Sequence, residues 1–147
     1  MSKRREESRR WFHQAYYDLK AAHWNFEGEF YDTACFLAQQ SGEKALKSLL
    51  YLVGSSKQAL MTHSLVQMIQ QNADKIADLS ALVEDARSLD LHYIPSRYPN
   101  GLPSGYPHQF YGRETALKAM ASAEKILGAV REHFRRQGED ELINFTE

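Results

Sequence analysis

The chain has 147 residues, the size of one domain, and is long enough to fold without a disulfide framework or a structural metal. Hydrophobic residues at 43% and charged residues at 25% match ordinary globular usage and argue against disorder. Eighteen Lys and Arg against nineteen Asp and Glu leave a formal charge of −1, so any nucleic-acid site must be a local patch rather than a global basic field.

Cys35 is the lone cysteine, which excludes an internal disulfide and a Cys-rich zinc site and fits a reducing compartment. The start, Met1 to Glu7, is charged and leads into no apolar segment of the signal-peptide kind. No stretch approaches the ~18–20 apolar residues of a membrane span. These readings predict a cytoplasmic protein with no membrane contact, built as one domain over residues 1–147.

Proline parses the chain. Residues 1–90 contain none, and all four fall at Pro95, Pro99, Pro103 and Pro107. The long proline-free runs are rich in Ala, Leu, Glu, Lys, Gln and Arg, which favour helix. A first helix is predicted from about Glu6 to Phe26, with Trp11, Ala15, Leu19, Ala22 and Phe26 as its apolar stripe and Gly28 as its stop. A second runs from about Tyr31 to Val53, closed by a left-handed cap at Gly54.

The third begins at Ser64, whose hydroxyl caps the helix while Gln67 reaches back, and it buries Leu65, Met68, Ile69 and Ile76. Asp78 is the expected cap of a fourth, which uses Leu79, Leu82, Val83, Ala86 and Leu89. The last long helix, about Arg113 to Gln137, presents Ala116, Ala119, Met120, Ala123, Ile126, Leu127, Val130 and Phe134. The fold class is all-α: an antiparallel up-and-down bundle of about five helices, with a long Pro/Tyr-rich connection before the last.

On the second helix, Cys35, Ala38, Gly42, Ala45, Leu46, Leu49 and Leu52 share one side, and Gln40, Glu43, Lys44, Lys47 and Tyr51 the opposite one. Phe36, Leu37 and Leu50 lie off the core stripe. They are expected to belong either to a homodimer interface or to extra burial within the subunit.

The run Gln39-Gln40-Ser41-Gly42-Glu43-Lys44-Ala45-Leu46-Lys47-Ser48-Leu49-Leu50 resembles the corresponding helix of the HEPN (higher eukaryotes and prokaryotes nucleotide-binding) domain family. The similarity extends to Trp11-Phe12, Ala15, Asp18-Leu19 and Ala22, through Tyr31 to Phe36 and His63-Ser64-Leu65. It continues in Leu89-Asp90, Tyr93-Ile94 and Arg97-Tyr98-Pro99, in the family's order. The resemblance implies a helical bundle, frequent dimers, and roles built around nucleotides or RNA. It also implies, for many prokaryotic members, a small nucleotidyltransferase partner in a toxin–antitoxin pair.

The family's ribonuclease branch carries Arg, four to six intervening residues, then His near the last core helix. Such a His moves a proton in 2′-OH attack while the Arg neutralises the phosphate. Arg87 and His92 have that spacing, with Asp90 between them; Arg97 and His108 are separated by ten residues. The other reading of Arg87 and His92 is a surface Arg and a locally hydrogen-bonded His.

Lys44 and Lys47, with Gln40 and Tyr51, form a strip suited to phosphate, Tyr51 offering a ring for a base; a solvated face is the alternative. Arg97 beside Tyr98 forms a guanidinium-and-aromatic ligand site, or else residues 91–112 are a strap over the core. His63 is expected to anchor a loop, and Arg131, Arg135 and Arg136 to complement a helix dipole.

No recurrent His, Asp and Glu spacing points to a metal, and no cofactor is expected. The leading expectation is a homodimeric module that binds nucleotide or RNA phosphates through Lys44, Lys47, Arg97, Tyr51 and Tyr98, with a nucleotidyltransferase as partner. The alternatives are a metal-independent endoribonuclease using Arg87 or Arg97 with His92 or His108, and a structural dimerisation domain.

Overall fold

The computed structural model describes residues 1–145, and these form eight helices, five of them seven residues or longer. The first, α1 (Lys3–Glu27), starts three residues before the expected Glu6, because the Ser2 hydroxyl accepts the Arg5 amide at 3.2 Å. Gly28 caps its end with an ordinary φ of −83°; the left-handed residue of the turn is Glu29, at φ 67°. Helix α2 (Tyr31–Val53) has the expected bounds. Gly54 closes it at φ 73°, a conformation that costs a residue without Cβ nothing.

After α2 the chain forms the short α3 (Lys57–Met61), capped by the Ser56 hydroxyl, and then α4 (Leu65–Asn72). The Ser64 hydroxyl accepts the Gln67 amide at 3.1 Å, as the spacing predicts. Gln67 does not reach back to Ser64; its Oε1 accepts from Thr62, and the Thr62 hydroxyl takes the Ser64 amide. Asp78 is no cap. It sits at φ 66° with no side-chain bond to the helix, and a 3₁₀ turn at Leu79–Leu82 precedes α5 (Val83–Asp90).

The connection before α7 (Arg113–Arg136) contains a 3₁₀ turn at Pro99–Gly101 and the four-residue α6 (Pro107–Phe110), whose first position suits proline. Tyr93 and Tyr111 turn inward, but Tyr98, Tyr106 and Phe110 remain about half exposed, so the strap covers the core with only part of its aromatic content. A final helix, α8 (Asp140–Ile143), tucks Leu142 and Ile143 against the bundle.

Helix α2 is central, packing on α1 along its length, on α7, and on α4 and α5. At Gly42 a Cβ would meet Leu65 at 2.8 Å and Leu89 at 3.0 Å, so three helices close on this point of α2. The α1–α2 hairpin is tied by two buried hydroxyls: Ser8 donates to the Ser48 carbonyl and Ser41 to the Ala15 carbonyl, both at 2.7 Å. Phe12, not Trp11, enters the core, meeting Phe134 edge-on at 6.0 Å between ring centres. Among the described residues no helix is long and apolar enough to cross a membrane.

Candidate nucleotide-binding site

Because α2 is surrounded, its polar side is not a free surface. Lys47 and Glu43 are both buried and pair at 2.9 Å one turn apart. Lys44 pairs with the buried Asp18 of α1 and also donates to Gln40 at 3.3 Å. Each lysine therefore has its own carboxylate. The cost of burying such charges is offset only by close pairing and further hydrogen bonds, and both are present here.

The pairing shapes a cleft between α1 and α2. On α1, Glu7, Arg10, Trp11 and Gln14 fall at i, i+3, i+4 and i+7 and so share one face. With Lys44 they line an open cleft of about 360 Å³. Trp11 is its aromatic wall. Its ring stacks on Tyr51 at 5.7 Å and carries the Lys47 ammonium 5.4 Å from its centre, which fixes the wall in place. Gln14 donates to Asp18 at 2.8 Å, leaving its amide oxygen for another donor, and Arg10 pairs with Glu7 at 2.6 Å on the rim. An incoming phosphate would replace Glu7 on Arg10 while Lys44 stays held.

Arg97 stands apart from this cleft. Its guanidinium lies 4.3 Å from the centre of the Phe36 ring and 5.5 Å from that of Tyr98, and no carboxylate pairs with it among the described residues. Phe36 is two turns before Lys44 on α2, about 12 Å along the axis. The strip of Lys44, Lys47, Tyr51, Arg97 and Tyr98 is thus two stations along one helix. Between them, His63 stacks on Tyr93 at 4.7 Å and its Nδ1 approaches Glu43 at 3.3 Å, so the loop before α4 is anchored to α2. Burial and the nearby Glu43 carboxylate raise the Tyr93 phenol above its ordinary range, against an opposing effect of Arg97.

The Arg and His candidates separate into two cases. Arg87 pairs with Glu84 on the outer face of α5. His92 turns inward, where its Nδ1 shares a hydrogen bond of 3.0 Å with the Tyr111 hydroxyl, which burial pushes up to about 12 and so keeps protonated. Burial lowers the His92 pKa and keeps it neutral. Asp90 faces neither; its carboxylate accepts Ser64 Oγ at 2.9 Å and the Leu65 and Val66 amides at 2.8 and 3.1 Å, anchoring the start of α4.

His108 and Arg97, by contrast, sit over successive turns of α2. His108 meets Asp32 through Nδ1 at 3.1 Å, and Arg97 covers Phe36 one turn on.

Leu50 is fully buried within the chain, so it is not an interface residue, and Phe36 lies under Arg97. Trp11, Arg10, Gln14 and Asp18 escaped the reading of the sequence as site residues. The four-residue spacing of Arg10 and Gln14 beside Trp11 is a legible signal of a shared face; the burial of Asp18 is not.

The HEPN domain model matches residues 8–133. A protein of Thermus thermophilus, known as a crystal structure, is 36% identical; the match covers 86% of this chain and 97% of that one, with a TM-score of 0.79. An archaeal HEPN homologue is 32% identical, over 90% of this chain and 98% of its own, with a TM-score of 0.69. An HEPN domain protein of Thermotoga maritima is 28% identical, over 86% and 98%, at 0.68. No curated protein matches the chain.

Proposed function

The chain belongs to the HEPN family, and from that premise we propose that it is a nucleotide- or RNA-phosphate-binding module, homodimeric and partnered with a small nucleotidyltransferase. The observation that carries the binding reading is the cleft of Arg10, Trp11, Gln14 and Lys44, which combines an aromatic wall, an amide and two cations. A base stacks on Trp11, Gln14 reads its edge, and the phosphate meets Arg10 and Lys44. Lys47 contributes from behind, as the charge that fixes Trp11. The homodimer and the nucleotidyltransferase partner rest on the family.

The test is titration of purified protein with AMP, ATP and short RNA, followed by Trp11 fluorescence in the Trp24→Phe variant. Quenching that weakens at least about fivefold in Arg10→Ala or Lys44→Ala supports the reading, a factor that corresponds to about 1 kcal/mol. Quenching untouched by either substitution, or none at all, defeats it.

A second reading is favoured by a different observation. The half-exposed His108 is oriented by Asp32, and Arg97 stands over the next turn of the same helix. That is the pairing a metal-independent ribonuclease needs, with a proton carrier beside a phosphate clamp. RNA cut in the presence of EDTA, with cutting lost in His108→Ala and retained in His92→Ala, would establish it in place of the first.

A further inference from the structure

Toward its C-terminal end α1 carries Tyr17, Lys20 and Trp24 at steps of three and four, so they align along one side of the helix. Trp24 is 81% exposed, more than any other large apolar side chain described, and Tyr17 is 52% exposed. Between them the Lys20 ammonium lies 5.4 Å from the Tyr16 ring centre and 5.8 Å from that of Tyr17. Beside Lys20, a groove of about 250 Å³ between α1 and α7 has Leu19 and Leu127 as its floor and Arg131 on its far wall. Among the described residues neither Lys20 nor Arg131 pairs with a carboxylate. The one carboxylate lining the groove, Glu124, is engaged by His23 at 2.7 Å.

Exposed rings alternating with cations that no described carboxylate pairs suit a single nucleic-acid strand. Unpaired bases stack on the rings, and the phosphates between them meet the cations. A duplex hides its base faces and has no use for Trp24. An acidic peptide would use the cations but would leave the rings without a stacking partner.

We infer that the Tyr17–Lys20–Trp24 face of α1, with Arg131 of α7, is a binding track for single-stranded nucleic acid. It takes its ligand class from the reading proposed above but shares no side chain with the cleft, so the two fail separately.

The two tryptophans of the chain divide the sites between them, Trp11 in the cleft and Trp24 on the track. The experiment titrates a twelve-nucleotide oligouridine into Trp11→Phe protein, with circular dichroism as the check on folding. Trp24 fluorescence should be quenched, and the same oligomer should give no track signal in Trp24→Phe. By labelled-oligomer anisotropy, Trp24→Ala should weaken binding at least about fivefold. Lys20→Ala and Arg131→Ala should each flatten the slope of log affinity against log salt by about 0.7.

Equal binding of a duplex of the same length overturns the inference. So does displacement of the oligomer by polyglutamate at equal charge, which would make the surface a docking site for an acidic protein. Loss of oligomer binding only in Arg10→Ala or Lys44→Ala, with Trp24 unquenched, places the strand in the cleft; the track is then wrong and the cleft reading stands. Strand binding on the track with no nucleotide response from Trp11 has the reverse meaning.

Discussion

Helices α1 and α2 run side by side and both carry lysines, yet their charges behave in opposite ways. On α2, Lys44 and Lys47 are tied to Asp18 and Glu43, and Lys47 has almost no contact with solvent. On α1, Lys20 lies over tyrosine rings with no carboxylate to hold it among the described residues. A lysine in a helix is therefore not a free charge until its partners are known. The charge of Lys47 is structural and that of Lys20 on α1 is available to a ligand, because α2 is surrounded by other helices and α1 is covered on one side only.

The sharpest way to break this contrast is to remove Glu43. Glu43→Ala would leave the Lys47 ammonium buried without a partner, and the expected loss of unfolding free energy is about 3–5 kcal/mol by urea titration. The paired replacement Glu43→Gln with Lys47→Met should recover most of it, since a neutral pair carries no uncompensated charge. A loss under about 1 kcal/mol for the single change would mean that Lys47 reaches water and that α2 resembles α1 after all.

The apolar side of α2 supplies the reference for that number. Leu49 and Ile126 face each other's helices from buried positions, and truncating either to Ala should cost about 2–5 kcal/mol through the cavity left behind. Should these cost much less than Glu43→Ala, the buried ion pair within α2 would outweigh its apolar contacts.

The parts of this architecture that are local in sequence were legible in it. The bounds of α2, the Gly54 cap and the Ser64 cap depend on neighbours within a few residues. The heptad-like stripes of α4, α5 and α7 likewise reported their own burial. Two local expectations failed, the Asp78 cap and the Gln67 reach-back, and the other failures were non-local. Trp11 and Phe12 are adjacent and equally apolar, and only the position of α7 decides that Phe12 enters while Trp11 walls the cleft. The strip of Lys44 and Lys47 reads as an open face because amphipathic periodicity assumes one buried side, whereas α2 is buried on nearly all sides. Asp90 looked like a charge set against phosphate; its role as acceptor for the start of α4 requires residues 25 positions away to arrive beside it. The short helices α3, α6 and α8 were absent from the reading because four or five residues present no period.

Acid sharpens the comparison from the side of α1. His13 lies one turn from Arg9 on the outer face, and its pKa is lowered by burial and by the Arg9 charge. Burial lowers those of His92 and His133 as well, the latter with help from Arg136. A group held below its unfolded value near 6.5 contributes stability that is complete above that value and is lost as pH falls toward the folded pKa. Melting temperature should therefore decline as pH is lowered from 7 through 6. His92→Gln should flatten that decline. In a proton-resonance titration, Arg9→Ala should raise the pKa of His13, and a shift the other way would mean that the outer face of α1 carries no excess positive potential.

The smallest expected effect on stability belongs to the track itself. Lys20 and Trp24 are exposed, make no hydrogen bond or ion pair within the chain among the described residues, and fill no part of the core. Lys20→Ala and Trp24→Ala should each change the unfolding free energy by no more than about 0.5 kcal/mol in urea. Alanine even favours helix slightly at both positions, so a small gain is as consistent with the structure as a small loss. The bundle does not need an 81%-exposed tryptophan for its packing. A loss above about 1 kcal/mol for Trp24→Ala would show that the ring serves the bundle, and the distinction between the structural charge of α2 and the available surface of α1 would then fail at its most exposed residue.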